Sequence, residues 1–192
     1  FIVMCAGLIK KKNRDEERLF LAEGVKLTRE ALEFASVKAL LVADGAEYSE
    51  EIIVLAKESG VRIISVPESV VSKVSSEKSP QGVISVVEFP SIHSEGAYIE
   101  KGERIIAFEN IQDPGNLGSM IRTANAFGYE RIVLSGCADI YNPKTVRGAM
   151  GALFRINITV VPSVSEFAEV LRGAGRRTCA TALERDSERL DK

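Results

Sequence analysis

The chain has 192 residues, 45% of them hydrophobic and 27% charged, which is enough for one large domain or two small ones with real cores. Its formal net charge of −2 gives no global basic signal, so any nucleic-acid contact has to come from local patches. Cys5, Cys137 and Cys179 lie far apart without CxxC spacing, and His93 is the only histidine, which argues against a structural zinc or a metal-hydrolase site. The cysteines are expected to stay reduced in a cytosolic setting.

Phe1 to Ile9 is apolar but runs into Lys10, Lys11 and Lys12. It is too short to span a bilayer and has the wrong charge order for a signal peptide, so it reads as a helix packing on the core. Lacking an initiator methionine, the chain is expected to be trimmed. Lys10, Lys11, Lys12 and Arg14 are a candidate RNA patch or, as charge runs more often are, a solvated surface.

From Leu19 to Val87, short apolar runs (FLAEG, VKALLVA, VRIISV) alternate with amphipathic stretches (VKLTREALEF, SEEIIVLAKESG) in a βαβαβ rhythm. That predicts a compact α/β unit. Phe89 to Gly102 loses periodicity and collects proline, glycine and serine, which marks a linker. The predicted division is 1–90, a linker over 91–102, and 103–192. The second part predicts RIIAFEN as strand, GNLGSMIRTANAFG as helix, RIVLSG as strand and NPKTVRGAMGALF as helix. INITVV then reads as strand, SVSEFAEVLRGAG as helix and RRTCATAL as strand, so a mostly parallel sheet with helices on both faces is expected.

Two segments carry chemistry. Glu109 to Gly118 follows a strand and opens a helix, the place where ligands bind on a parallel sheet. Asn116 is the candidate N-cap; Leu117, Met120, Ile121 and Ala124 form the predicted buried face, leaving Gly118, Ser119 and Arg122 opposite. Free N–H groups at the helix start favour an anion, and Arg122 has no carboxylate at helical spacing to pair with. A tight turn with a solvated arginine explains the same residues equally well. The loop is neither GxGxxG nor a P-loop. In NPKTVRGAMGALFR, Asn142 is the candidate cap and Pro143 the first helical residue. Lys144, Arg147, Gly148, Gly151 and Arg155 would share one face, suited to a phosphate, to tight helix packing within a dimer, or to both.

DPGNLGSMIRTANAFG and NPKTVRGAMGALFRI together closely resemble the first and second motifs of SpoU methyltransferases of the SPOUT class. NRDEERLFLAEGVKLTREAL and SPQGVISVV resemble the family's substrate-binding domain, which is similar to small ribosomal RNA-binding proteins, so the resemblance spans nearly the whole chain. It implies a Rossmann-like α/β sheet, with a trefoil knot in the complete protein, behind the small α/β domain. It also implies methylation of an RNA ribose 2′-hydroxyl from S-adenosylmethionine by a cytoplasmic homodimer without metal, on ribosomal RNA ahead of transfer RNA. Asn116 and Arg122 match the first motif's asparagine and catalytic arginine, Asn110 and Gly118 match adjoining positions, and Arg147 matches the second motif's arginine. With Lys144, the residues Asn110, Gly118 and Arg147 are the RNA-facing candidates; Thr181, Ala182 and Leu183 are the donor-facing ones.

Ala149 stands where many relatives have serine. The family's third motif, a GxExxGL loop and an SLNVS-like helix, should follow the last predicted strand, so the natural chain is expected to continue past Lys192. Without that motif no measurable donor affinity is expected. Because free arginine is a poor base, Arg122 reads better as a clamp on the target phosphate and the developing alkoxide, with a substrate phosphate or water taking the proton. Asn116 would orient Arg122 or the ribose. A non-catalytic RNA-binding relative is the alternative; a dinucleotide enzyme lacks its glycine fingerprint here.

Overall fold

The computed structural model describes residues 1–45, 50–90, 99 and 102–181. The apolar start forms α1 (Ile2–Gly7), whose Cys5 is buried, and Leu8 beyond it is buried too, as a core-packing helix requires. Burial pushes the Cys5 thiol up to about 11, so it behaves as a small apolar side chain. Next comes α2 (Lys11–Glu17), in which Lys11 and Lys12 are exposed and paired with Asp15 and Glu16, while Arg14 turns inward and is buried.

The predicted rhythm follows as β1 (Leu19–Glu23), α3 (Val25–Phe34), β2 (Val37–Ala43), α4 (Glu50–Glu58) and β3 (Arg62–Val66). It closes with α5 (Glu68–Val74) and β4 (Val83–Glu88). The sheet order is β1-β4-β2-β3: β4 runs antiparallel to both neighbours, and β2 pairs in parallel with β3. VKALLVA reads as a continuous apolar run because β2 is interior and its last five residues are buried on both faces.

The second sheet is wholly parallel in the order β5-β6-β7, from β5 (Ile105–Glu109), β6 (Arg131–Ser135) and β7 (Asn157–Val160). Its helices are α6 (Pro114–Ala126), α7 (Pro143–Ala149) and α8 (Val164–Gly173). Every residue of the central strand β6 is buried. Its Arg131 is matched inside by Glu103 at 2.8 Å and Thr159 at 2.9 Å.

Two expectations need correction. Arg176 to Thr181 carries no strand. No residue from Arg176 to Thr181 is fully buried, so the segment adds nothing to the core that would hold it against a neighbouring strand, and Arg176 instead donates to the carbonyl of Glu103. Phe89, read as the start of a linker, stacks on Tyr141 with ring centroids 3.8 Å apart. It belongs to a core shared by both sheets, in which Phe20, Leu27 and Val87 join Leu117, Ile121 and Leu153. His93 lies outside the described residues.

Candidate functional site

The site is built where the carboxyl ends of β5 and β6 give way to the starts of α6 and α7. Asn110 leaves β5 in the left-handed region at φ +57°, and its N–H donates to the carbonyl of Ser135 at 2.9 Å. Gly136 sits in the left-handed region at φ +59°, which favours glycine, and a Cβ there would press on the end of the Asn110 side chain. Gln112 Nε2 donates to the carbonyl of Gly136 at 2.6 Å, so the two loops are tied side by side.

The cap of α6 is Asp113, not Asn116. Its carboxylate accepts from the Asn116 N–H at 2.8 Å, with Pro114 at the first helical position. The aspartate–proline pair was the legible signal, since proline belongs just inside a helix start. Asp113 also accepts from Lys144 Nζ at 2.8 Å, and that hydrogen bond, ahead of the one from Asn116, holds its carboxyl below the usual range. The anion expected at this helix start is therefore supplied by the chain itself. Asn142 caps α7 as expected, accepting from the Lys144 N–H at 2.9 Å with Pro143 following.

The faces differ from the periodic reading. Gly118 is buried rather than lying beside Ser119 and Arg122, and Met120 is half-buried. The reason is the crossing of α7: a Cβ on Gly118 would come within 2.5 Å of the Thr145 carbonyl and 3.0 Å of Gly148 Cα. Gly118 thus serves helix packing within the chain and presents no face to an RNA. Nor is NPKTVRGAMGALFR one helix. It breaks at Met150 (φ +50°) and Gly151 (φ +91°), and a 3-10 turn over Ala152–Phe154 follows. Lys144, Arg147, Gly148, Gly151 and Arg155 therefore share no continuous face; Arg155 pairs with Glu30 and lies 4.7 Å over the Phe34 ring.

The cations separate by what they hold. Arg147 Nη1 donates to Ser76 Oγ at 2.6 Å and Nε pairs with Glu77 at 2.7 Å, beside the buried carboxylate of Glu23. These partners come from the first sheet's unit, a contact no local pattern announces. Glu23, Glu77 and Arg147 border a cleft of about 340 Å3 with Gln81, Lys26 and Met150. Arg122, by contrast, is exposed and makes no hydrogen bond, ion pair or ring contact with any described residue. Asn116 is exposed on the same helix, but six positions is roughly 240° round and ~9 Å along, so the two do not share a face. Of the donor-facing candidates Thr181 is exposed, while Ala182 and Leu183 lie outside the described residues. No group of three potential metal ligands occurs among the described residues.

Residues 103–192 match the SpoU rRNA Methylase family, and residues 2–85 match the MRM3-like substrate binding domain. The chain belongs to the SpoU family. Among curated SpoU-like relatives, the 23S rRNA (guanosine(2553)-2′-O)-methyltransferase RlmP of Bacillus subtilis is 33% identical over 91% of this chain and 66% of its own length. The human mitochondrial rRNA methyltransferase 3 is 31% identical over 76% of this chain and 36% of its own. Among solved structures, AdoMet-bound rRNA methyltransferase from Sinorhizobium meliloti superposes with TM-score 0.75 at 32% identity, over 90% of this chain and 65% of that one. The SpoU methyltransferase AviRb of Streptomyces viridochromogenes, in complex with AdoMet, gives 0.78 at 28% identity, over 91% and 68%. The chain thus spans at most about two thirds of these SpoU relatives, and both of its units lie within the likeness.

Proposed function

We propose that this chain forms most of an RNA 2′-O-ribose methyltransferase that acts on ribosomal RNA with S-adenosylmethionine as donor. Residues 1–90 would hold the RNA, residues 103–192 would carry out transfer, and 91–102 would join them. The observation that carries the reading is Arg122: an exposed cation with no described partner, on a helix whose opposite face is buried, beside the carboxyl end of a parallel sheet. A solvated surface arginine would be unremarkable elsewhere, but the resemblance of DPGNLGSMIRTANAFG to the family's first motif supports reading this one as the catalytic arginine. The free guanidinium also favours the catalytic reading over a non-catalytic RNA-binding relative.

S-adenosylmethionine supplies an activated methyl group. What the chain's own residues do is orient the acceptor and steady its charge. Arg122 clamps the phosphate next to the target ribose and stabilises the oxygen as its proton leaves to that phosphate or to water. Asn116, being off Arg122's face, orients the ribose rather than the arginine. Asn110 shapes the loop, and Lys144 and Arg147 meet RNA phosphates by exchanging Asp113 and Glu77 for them. Thr181, with Ala182 and Leu183, borders the donor.

A homodimer fits the exposed apolar side chains of Phe127 and Val170, which a second copy would cover. Likeness to the Bacillus subtilis relative favours the cytoplasm, although the human relative is mitochondrial by name; no helix among the described residues is long and apolar enough to cross a membrane. The test is transfer of labelled methyl to ribosomal RNA by the full-length protein, with the product resisting alkaline cleavage at one ribose.

A further inference from the structure

Among the described residues, Arg14 is the one strongly buried cation that joins the two units, and the site described above does not use it. Its side chain is 3% exposed. Nη1 donates to the carbonyls of Leu8 and Ile9, each at 2.7 Å, and Nη2 pairs with Asp139. Asp139 lies in the loop between β6 and α7, and its remaining acceptors all face that loop. Oδ1 accepts from the Tyr141 N–H at 2.9 Å, and its carbonyl accepts from Asn142 N–H at 3.1 Å and Thr145 Oγ1 at 3.0 Å. Asn142 caps α7, and the Thr145 carbonyl is the atom against which Gly118 packs. One helical turn beyond Gly118 stands Arg122.

We propose that Arg14 is a positioning residue for methyl transfer: by fixing Asp139 it sets the β6–α7 loop and, through the α6–α7 crossing, the stance of Arg122. This role rests on the ribose-methylation reading above. A buried ion pair is weak evidence for stability, because desolvating both groups offsets most of their attraction. Its best-attested use is to fix one register among several. Here the apolar contacts of Phe20 and Phe89 with Tyr141 and the more exposed links of Arg147 to Glu77 and Arg155 to Glu30 also join the units, but the Arg14 fork is the more deeply buried link and the one that grips Asp139 of the β6–α7 loop. Displacing reacting groups by about 1 Å can cost on the order of a hundredfold in rate, so a small loop shift is enough to matter.

The test compares wild type, Asp139→Asn, Arg14→Met, Arg14→Lys and the Arg14→Met/Asp139→Asn double variant in the full-length protein, well below their unfolding midpoints. Positioning predicts that kcat per folded molecule falls about tenfold or more in each single variant, with KM for RNA changed less than about threefold. The double variant should be no worse than the poorer single one, and Arg14→Lys should not rescue, because an ammonium cannot reproduce the fork. Amide exchange over 138–148 should quicken in Asp139→Asn while α3 is unchanged. A lowered unfolding midpoint with kcat intact, or exchange over 138–148 unaltered, would overturn the proposal. Should the wild type transfer no methyl, the functional reading fails, and the exchange result alone still decides whether Arg14 sets the loop.

Discussion

Arg122 and Arg147 have the same charge and opposite situations. Arg122 holds nothing within the described chain, whereas Arg147 is held by Ser76 and Glu77 of the first unit. If Arg147 trades those partners for a phosphate, then Arg147→Ala weakens RNA binding and lowers the slope of log affinity against log salt by about one. Binding measured across a salt series checks this, and an unchanged slope would leave Arg147 as a latch between the units. Both arginines were legible as candidates, Arg122 because it has no carboxylate at helical spacing and Arg147 because the periodic reading put it on a face with Lys144 and glycines. The partners of Arg147 were not, since Ser76 and Glu77 lie about seventy positions away and meet it only through the fold.

At the scale of elements, periodicity located the helices and strands better than it assigned their faces. Gly118 sits at the flank of the apolar stripe of α6 and is buried only because α7 crosses there, a tertiary fact that a single-helix reading cannot contain. Gly118→Ala, which sets a Cβ against the Thr145 carbonyl, should therefore cost about 1–3 kcal/mol in chemical denaturation, where a solvent-facing glycine-to-alanine change in a helix would be stabilising. The break of the second motif at Met150 and Gly151 escaped for a similar reason: glycine within a helical pattern is tolerated often enough that only packing decides.

Asp113 adds a pH dependence to the same pair of helix starts. Its carboxyl is held below the ordinary value of 3.8, mainly by Lys144 and then by the Asn116 N–H. A depressed folded-state pKa contributes stability that is fully present above the unfolded value and is lost as pH falls through the folded one. Asp113→Asn keeps a capping side chain but loses the charge. Its unfolding midpoint should lie below that of wild type at neutral pH, and the gap should close as pH drops below about 4. A gap that persists in acid would mean that the charge contributes nothing.

In the whole molecule, the βαβαβ run of the first unit and three strands of the second were readable, whereas α5, the antiparallel β4 and the joint between the units were not. Phe89 looked like the first residue of a linker, because proline and serine follow it, but it stacks on Tyr141 beside Phe20. With Phe20 fully buried at the meeting of the units, Phe20→Ala should cost about 3–5 kcal/mol. Amide exchange should quicken in β6 and α6 as well as in β1, and a response confined to β1 would show that the units are stable independently. The most direct test of the functional account is methyl transfer to ribosomal RNA by the full-length protein, comparing wild type with Arg122→Ala. Wild type should yield one alkali-resistant 2′-O-methyl ribose, and the variant, unfolding at the same midpoint, should lose on the order of a hundredfold or more in activity. Transfer to a base, or near-normal turnover by folded Arg122→Ala, would contradict the functional account.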